Sequence, residues 1–227
     1  MRCFPVPLVI AFAMLVLASS SAAAGPWPRE AGQGFFAFTV EAPAQGGASP
    51  DRFRVYGEFG LRPRLTFAAS VEHDAEGQRQ EAALRWHPPD LPGNIAWGFS
   101  AGLRRTTEAG LWVNDEPRAH LGVSLGRGFD TALGNIWART DVTAVFGRSP
   151  FGMLEREMEL AAQIGLRHDD WIGMFGITQD RKDDTSKTRI RPALGYAFGP
   201  RLTLVGEAAL SPGGQRQALG LSLWSRF

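Results

Sequence analysis

"YGEFGLRPRLTFAAS", residues 56–70, is apolar at every second position on either side of a proline. Far along the chain "LGYAFGPRLTLVGEAAL", residues 194–210, repeats the phrase: aromatic, glycine, proline, Arg-Leu-Thr, then alternation again. Period-two alternation is the signature of a strand with two unlike faces. Glycine and proline between two such runs mark a tight turn. One chain that uses the same strand–turn–strand unit near both ends is built from hairpins.

Working outward, alternation dominates after residue 34 and helical periodicity is scarce. Phe36, Phe38 and Val40 oppose Thr39 and Glu41; Phe53, Val55, Phe59 and Leu61 oppose Arg54, Tyr56 and Glu58. Leu65, Phe67, Ala69 and Val71 oppose Thr66, Ser70 and Glu72. Late in the chain Ile190, Leu194, Tyr196 and Phe198 oppose Arg189, Arg191 and Gly195, and Leu219, Leu221, Leu223 and Phe227 share one face. About twelve strands result: 34–42, 53–61, 64–74, 79–87, 95–106, 118–127, 135–147, 154–168, 171–180, 187–198, 201–211 and 216–227. The segment 154–168 also reads as an amphipathic helix, but its flanks favour a strand.

A soluble β-sandwich and a membrane barrel share this alternation with opposite faces inward. Three features favour an all-β, closed, antiparallel up-and-down transmembrane barrel. First, the connections alternate in kind. The turns 62–63, 88–94, 128–134, 169–170 and 199–200 fall at one end, expected to be periplasmic. The connections 43–52, 75–78, 107–117, 148–153, 181–186 and 212–215 are more polar and on balance longer, as outer loops are. Second, Trp86, Trp97, Trp137, Trp171 and Trp224 all fall near the inner end, as an interfacial aromatic girdle requires; Trp137 and Trp224 carry inward parity. Third, the chain stops on Phe227 with outward parity behind it.

Parity also assigns charges to the lumen: Arg54, Glu58, Glu72, Glu81, Arg85, Arg104, Arg139, Asp141, Glu157, Glu159, Arg167, Arg189, Arg191 and Glu207. Folding the first hairpin about residues 62–63 sets Arg54 opposite Glu72, Tyr56 opposite Ser70 and Glu58 opposite Ala68. Folding about Gly199 brings Arg191 near Glu207. A one-residue slip would send Arg54 and Glu72 into lipid, where an Arg at the midplane costs about 2–4 kcal/mol. Only Lys182 and Lys187 are lysines, so the cations are almost all arginines, suited to fixed bidentate pairing. The charges read either as a lattice that stiffens a narrow barrel or as the lining of a polar pore. The scattered glycines make room for large lumen side chains or ease strand curvature.

The N-terminus "MRCFPVPLVIAFAMLVLASSSAAAG" has a basic residue, a short apolar core and a small-residue cleavage site, so residues 1–24 read as a signal peptide. Its apolar run is shorter than the roughly 20 residues of a spanning helix. Residues 25–33 are then a periplasmic N-terminal segment and 34–227 the barrel. Cys3, the single cysteine, leaves with the signal, so disulfides and thiol chemistry leave with it. Without Arg2 the 24 basic residues become 23, against 23 acids, a balance that does not call for nucleic acid.

Chemistry finds few candidates among His73, His87, His120 and His168. His73 and Asp74 are adjacent at an outer strand end, an acid beside a base that a hydrolase site would need within hydrogen-bond reach. His168-Asp169-Asp170 has metal-ligand residue types, but turn chemistry explains the acids. No metal, cofactor or catalytic set is assigned.

On its terminal Phe227 and the outward parity of Leu219, Leu221 and Leu223, the chain resembles bacterial outer-membrane β-barrel proteins. The resemblance implies that the last strand is read by the barrel-assembly machinery, although Ser225 stands where such proteins often carry an aromatic. "YGEFGLRPRLTF" is similar to units of uncharacterised, transporter-like proteobacterial barrels. The resemblance implies the outer membrane of a Gram-negative bacterium, lipid as surroundings, and a small porin-like passive channel for polar solutes. Alternatives are a structural or interaction barrel occluded by Arg–Glu pairs and a hydrolase at His73/Asp74.

Overall fold

A computed structural model of the chain describes residues 27–44, 50–75, 77–108, 116–148, 154–182, 185–213 and 216–227. They form β1 (Gly34–Pro43), β2 (Arg52–Arg62), β3 (Leu65–Asp74), β4 (Gly77–Trp86), β5 (Ala96–Glu108), β6 (Arg118–Thr131), β7 (Gly134–Arg148), β8 (Leu154–His168), β9 (Trp171–Lys182), β10 (Thr185–Phe198), β11 (Leu202–Leu210) and β12 (Arg216–Arg226). Each strand pairs antiparallel with its sequence neighbours, and β1 pairs with β12 to close the barrel. The segment 154–168 is a strand with Glu155, Glu157 and Glu159 on its inner face. The expected signal peptide at 1–24 and the loop residues 45–49, 109–115 and 149–153 lie outside the described residues.

The two repeated phrases form hairpin turns at the end where β1 starts and β12 stops, the terminal end. Each places one residue in the left-handed region, Arg64 at φ 68° and Gly199 at φ 78°. Thr66 and Thr203, the threonines of the two Arg-Leu-Thr triplets, both turn inward and are buried. The register of the first hairpin agrees with the sequence reading: Arg54 faces Glu72, Tyr56 faces Ser70 and Glu58 faces Ala68.

One turn is much shorter than the sequence implies. The stretch 128–134 reads as a turn, yet β6 runs to Thr131 and β7 starts at Gly134, leaving Ala132 and Leu133 between them. The Gly and Asp residues that suggest a loop belong to the ladder instead: Gly128 pairs with Trp137 and Asp130 with Asn135. Asn135 Nδ2 donates to Asp130 Oδ1 at 2.8 Å, so the polar side chains stitch the hairpin end. Likewise β9 and β10 extend through most of the expected loop at 181–186.

Polarity is inverted relative to a soluble domain. Phe36, Leu103, Leu121, Phe175, Leu194 and Phe198 stand on the outer face at 40–58% exposure. Glu41, Glu58 and Arg104 are buried within the ring. An apolar outer wall around a charged interior is the arrangement of a barrel seated in a bilayer, where closure leaves no strand edge in lipid. No described helix is long and apolar enough to cross a membrane.

Within the segment 25–33, expected to be periplasmic, residues 27–33 fold into the barrel's end. Trp27 packs on the interior residues Trp137 and Ile172. Arg29 donates to Glu58, while Gly32 and Gln33 extend the hydrogen bonding of β2 through Gly60.

Candidate functional site

The site is the barrel interior, and alternation along each strand positions its side chains. Every charged residue that parity assigns to the lumen lies on an inner-facing ladder position. They gather into separate groups.

One group is centred on Glu41 of β1, whose side chain is 4% exposed. Arg191 Nη1 donates to it at 2.8 Å, Arg52 lies at 3.3 Å and Arg54 at 3.9 Å. Arg191 and Arg54 also reach Glu207, at 3.4 and 3.3 Å, and Arg52 reaches Glu72 and Asp74 at 3.3 and 3.0 Å. Gly220 makes this crowding possible. A Cβ there would lie 2.9 Å from the Cγ of Glu207 and 3.2 Å from that of Glu41.

The second group is centred on Arg104 of β5, also 4% exposed. Its guanidinium holds Glu159 of β8 by two hydrogen bonds of 2.7 and 2.8 Å. This fork-to-carboxylate geometry is the strongest form of the pair. Glu81 lies at 2.7 Å and Glu157 at 3.7 Å. Arg79 of β4 touches Glu159 at 3.4 Å, and His120 Nδ1 lies 3.3 Å from Glu81. Strands β6 and β7 separate β5 from β8 along the wall, so these bridges cut across the lumen.

Nearer the terminal end, Glu58 takes Arg85 at 2.5 Å and Arg29 at 2.6 Å, and the Tyr56 hydroxyl donates to it. Arg139 and Asp141 face each other along β7 at 3.6 Å. Arg189 pairs with Asp180 at 3.3 Å. Arg167 turns back to the Asp169 carbonyl. Above the bridges, at the loop end, lies a polar cavity of about 550 Å³ lined by Arg52, Arg54, Glu72, Arg79, Thr178 and Asp180, among others.

Arg54 and Glu72 are not the ion pair that the hairpin register suggests. They oppose each other on the backbone, but Arg54 leans away over Thr39, a small neighbour on β1, to reach Glu207. Glu72 takes Arg52 instead. The expected Arg191–Glu207 contact is present. Glu41, Arg52, Asp74 and Arg79 were missed as lumen charges. Glu41 shares the parity of Thr39, Asp74 that of Glu72 and Arg79 that of Glu81, so alternation alone could have found all three; Arg52 sits at a strand end set too short. Arg29 lies in an irregular segment with no period to read.

The aromatic residues divide. Trp86 stacks on Phe99 at 6.1 Å, Trp97 meets Phe99 edge-on at 5.1 Å, and Trp171 meets Tyr196 at 5.1 Å, all on the outer face toward the terminal end. Trp137 and Trp224 are not part of that girdle. Trp137 is buried inside at 4% exposure, its ring resting where a Cβ on Gly165 would intrude to 2.1 Å. Trp224 also faces in and donates to Ser222 at 2.9 Å. Phe227 is outward and 65% exposed, and exchanges backbone hydrogen bonds with Gly34 at 2.7 and 3.1 Å across the closing seam.

The hydrolase candidate is not assembled. His73 points outward and Asp74 inward, as adjacent strand residues must, and Asp74 binds Arg52. His168 and Asp169 are exposed in their turn, with His168 Nδ1 3.0 Å from the Leu133 carbonyl. Among the described residues no group of three or more His, Cys, Asp or Glu side chains is placed to hold a metal.

No family model matches the chain, and no curated protein matches it in sequence. Solved structures do match in shape. The KdgM porin superposes with a TM-score of 0.59 at 9% identity, covering 85% of this chain and 99% of that one. The NanC porin gives 0.55 at 10% identity, covering 86% and 98%. Outer membrane phospholipase A from Escherichia coli gives 0.51 at 11% identity, covering 94% and 96%. At these identities the likeness is one of fold: the chain has the closed-barrel fold of outer-membrane porin-like proteins.

Proposed function

We propose that this chain is an outer-membrane barrel that passes small polar solutes passively. The observation that carries the reading is the polar cavity of about 550 Å³ at the loop end, inside a wall that is apolar outside. A predominantly polar lumen with charges held by their partners favours hydrated solutes. The shared fold with the KdgM and NanC porins supports it. The barrel that shares its fold with a phospholipase does not bring a His–Asp pair together at residues 73 and 74, which weighs against the hydrolase reading. Planar-bilayer recording of the purified barrel should show discrete conductance steps. A folded barrel that inserts without conducting would sink the channel reading.

One set of observations favours the second reading, an occluded structural barrel. The Arg104–Glu159 bridge crosses the lumen, and the interior at the terminal end is packed around Trp137, Ile172 and Trp27. The same recording separates the two.

Export through a cleaved signal peptide and insertion by the barrel-assembly machinery belong to this proposal. Phe227 closes the seam with Gly34, where a strand added by edge pairing would end. Its deletion should lower outer-membrane levels in cells, while refolding into detergent is less affected. Equal losses in both would make Phe227 a seam residue and not an assembly signal.

A further inference from the structure

The interior has an asymmetry along its axis. At the loop end there is open polar space. At the terminal end the inward residues are shut from solvent almost all round the ring: Ala37 of β1, Thr66 of β3, Ala96 of β5, Trp137 of β7, Ile172 of β9, Ala197 of β10 and Thr203 of β11 are each below 9% exposed. The segment before β1 lies against some of these residues. Arg29 is tied to the β2–β3 side, its backbone N–H donating to Thr66 Oγ1 at 3.2 Å and its guanidinium to Glu58. Two residues earlier, Trp27 packs on Trp137 and Ile172 with Met174 alongside, on β7 and β9. In a ring of twelve strands these anchor points lie on opposite sides. The segment therefore crosses the mouth.

We infer that residues 27–31 are a displaceable plug, with Trp27 and Arg29 setting which solutes pass the terminal end of the lumen. The inference rests on the channel reading above and adds where the pore narrows. Its anchors suit release. Glu58 holds Arg29 and Arg85 together, so departure of Arg29 leaves the carboxylate with Arg85 and Tyr56. The large penalty for a stranded buried charge is thereby avoided. Trp137 keeps Met174 when Trp27 leaves. Gly32, at φ +83° with no atom within 4 Å of a Cβ position, supplies a pivot between the plug and the start of β1. Beside it, Gly60 gives the plug its seat, since a Cβ there would meet the Glu30 carbonyl oxygen at 2.0 Å.

The test is a full-length Trp27→Ala/Arg29→Ala variant, compared with the parent in two ways. In planar bilayers its conductance should rise by about twofold or more, because a constriction in series limits the whole pore. Separately, Met174→Cys is placed together with Cys3→Ser in both backgrounds, so that it is the single thiol, and a membrane-impermeant maleimide is added to detergent-solubilised barrel. Labelling should be slow with the plug intact and fast in the double variant. Gly60→Ala, whose Cβ would meet the Glu30 and Arg29 carbonyl oxygens at 2.0 and 2.8 Å while the Trp27 and Arg29 side chains stay in place, should label fast as well. Equal labelling in all three backgrounds overturns the plug, whatever the conductance. Fast labelling of the variants, with no conductance in any of them, leaves the plug standing and removes the channel reading. Conductance equal to the parent in both variants overturns the assignment of Trp27 and Arg29 as the constriction.

Discussion

The two charge clusters inside the barrel are near mirror images. One surrounds a buried carboxylate, Glu41, with three guanidiniums; the other surrounds a buried guanidinium, Arg104, with three carboxylates. They differ in what remains when the centre is lost. Around Glu41 each cation has a second partner: Glu207 for Arg191 and Arg54, and Glu72 with Asp74 for Arg52. Around Arg104 the reserves are thinner. Glu159 retains Arg79, Glu81 retains only His120, and Glu157 has no second cation in the bridges among the described residues. The first cluster is a mesh and the second a hub. Burial of the central group is the same, so connectivity alone should decide which loss is worse.

The largest effect is therefore expected at the hub. Arg104→Met keeps the length of the side chain and removes its charge, leaving three carboxylates close together. It should cost about 3–5 kcal/mol in urea unfolding of the lipid-reconstituted barrel, the range for a broken buried pair. Glu159→Gln should be strongly non-additive with Arg104→Met, because the two share a bidentate contact. Full additivity would break the hub description.

The mesh should yield less. Glu41→Gln is expected to cost about 1–2 kcal/mol in the same unfolding assay, since the amide oxygen still accepts from Arg191 and every guanidinium keeps another acid. A loss equal to that of Arg104→Met would erase the distinction between the clusters. Within the mesh, double-mutant cycles should separate backbone neighbours from side-chain partners. Arg54 with Glu207 should couple more strongly than Arg54 with Glu72, which oppose each other on the backbone but are linked only through Glu41 and Arg52. Glu72→Ala alone should be smallest, roughly 0.5 kcal/mol, because Glu72 is part-exposed and its partner Arg52 has Glu41 and Asp74 in reserve.

How far the sequence reaches follows the same division. The strands, their order in the barrel and the face of each charge were legible because period two ties identity to direction at every residue, as Arg54, Tyr56 and Glu58 show against Phe53, Val55 and Phe59. The partners were less legible. An arginine spans more than one strand spacing, so Arg54 skips the acid opposite and takes one three strands away on the ring, across small Thr39. Arg104 reaches Glu159 across a lumen whose width no local pattern encodes. The plug was illegible for a different reason. Trp27 and Arg29 lie in a short irregular stretch, where no periodicity says which way a side chain turns. Trp137 and Trp224 carried inward parity, and depth alone put them in the girdle; parity was the better guide.

Everything above depends on one claim: charged faces line a water-filled lumen while their sequence neighbours face lipid. Neighbouring positions on β9 test it most directly. Thr178 lines the polar cavity, and Ile177 stands on the apolar wall. In a Cys3→Ser background the chain has no other cysteine, so Thr178→Cys and Ile177→Cys each carry a single thiol. With the barrel in lipid vesicles, a charged water-soluble maleimide should label Thr178→Cys readily and leave Ile177→Cys unmodified until the lipid is dissolved. Labelling of Ile177→Cys ahead of Thr178→Cys, or equal labelling of both in intact vesicles, would contradict the inward placement of the charges and with it the barrel described here.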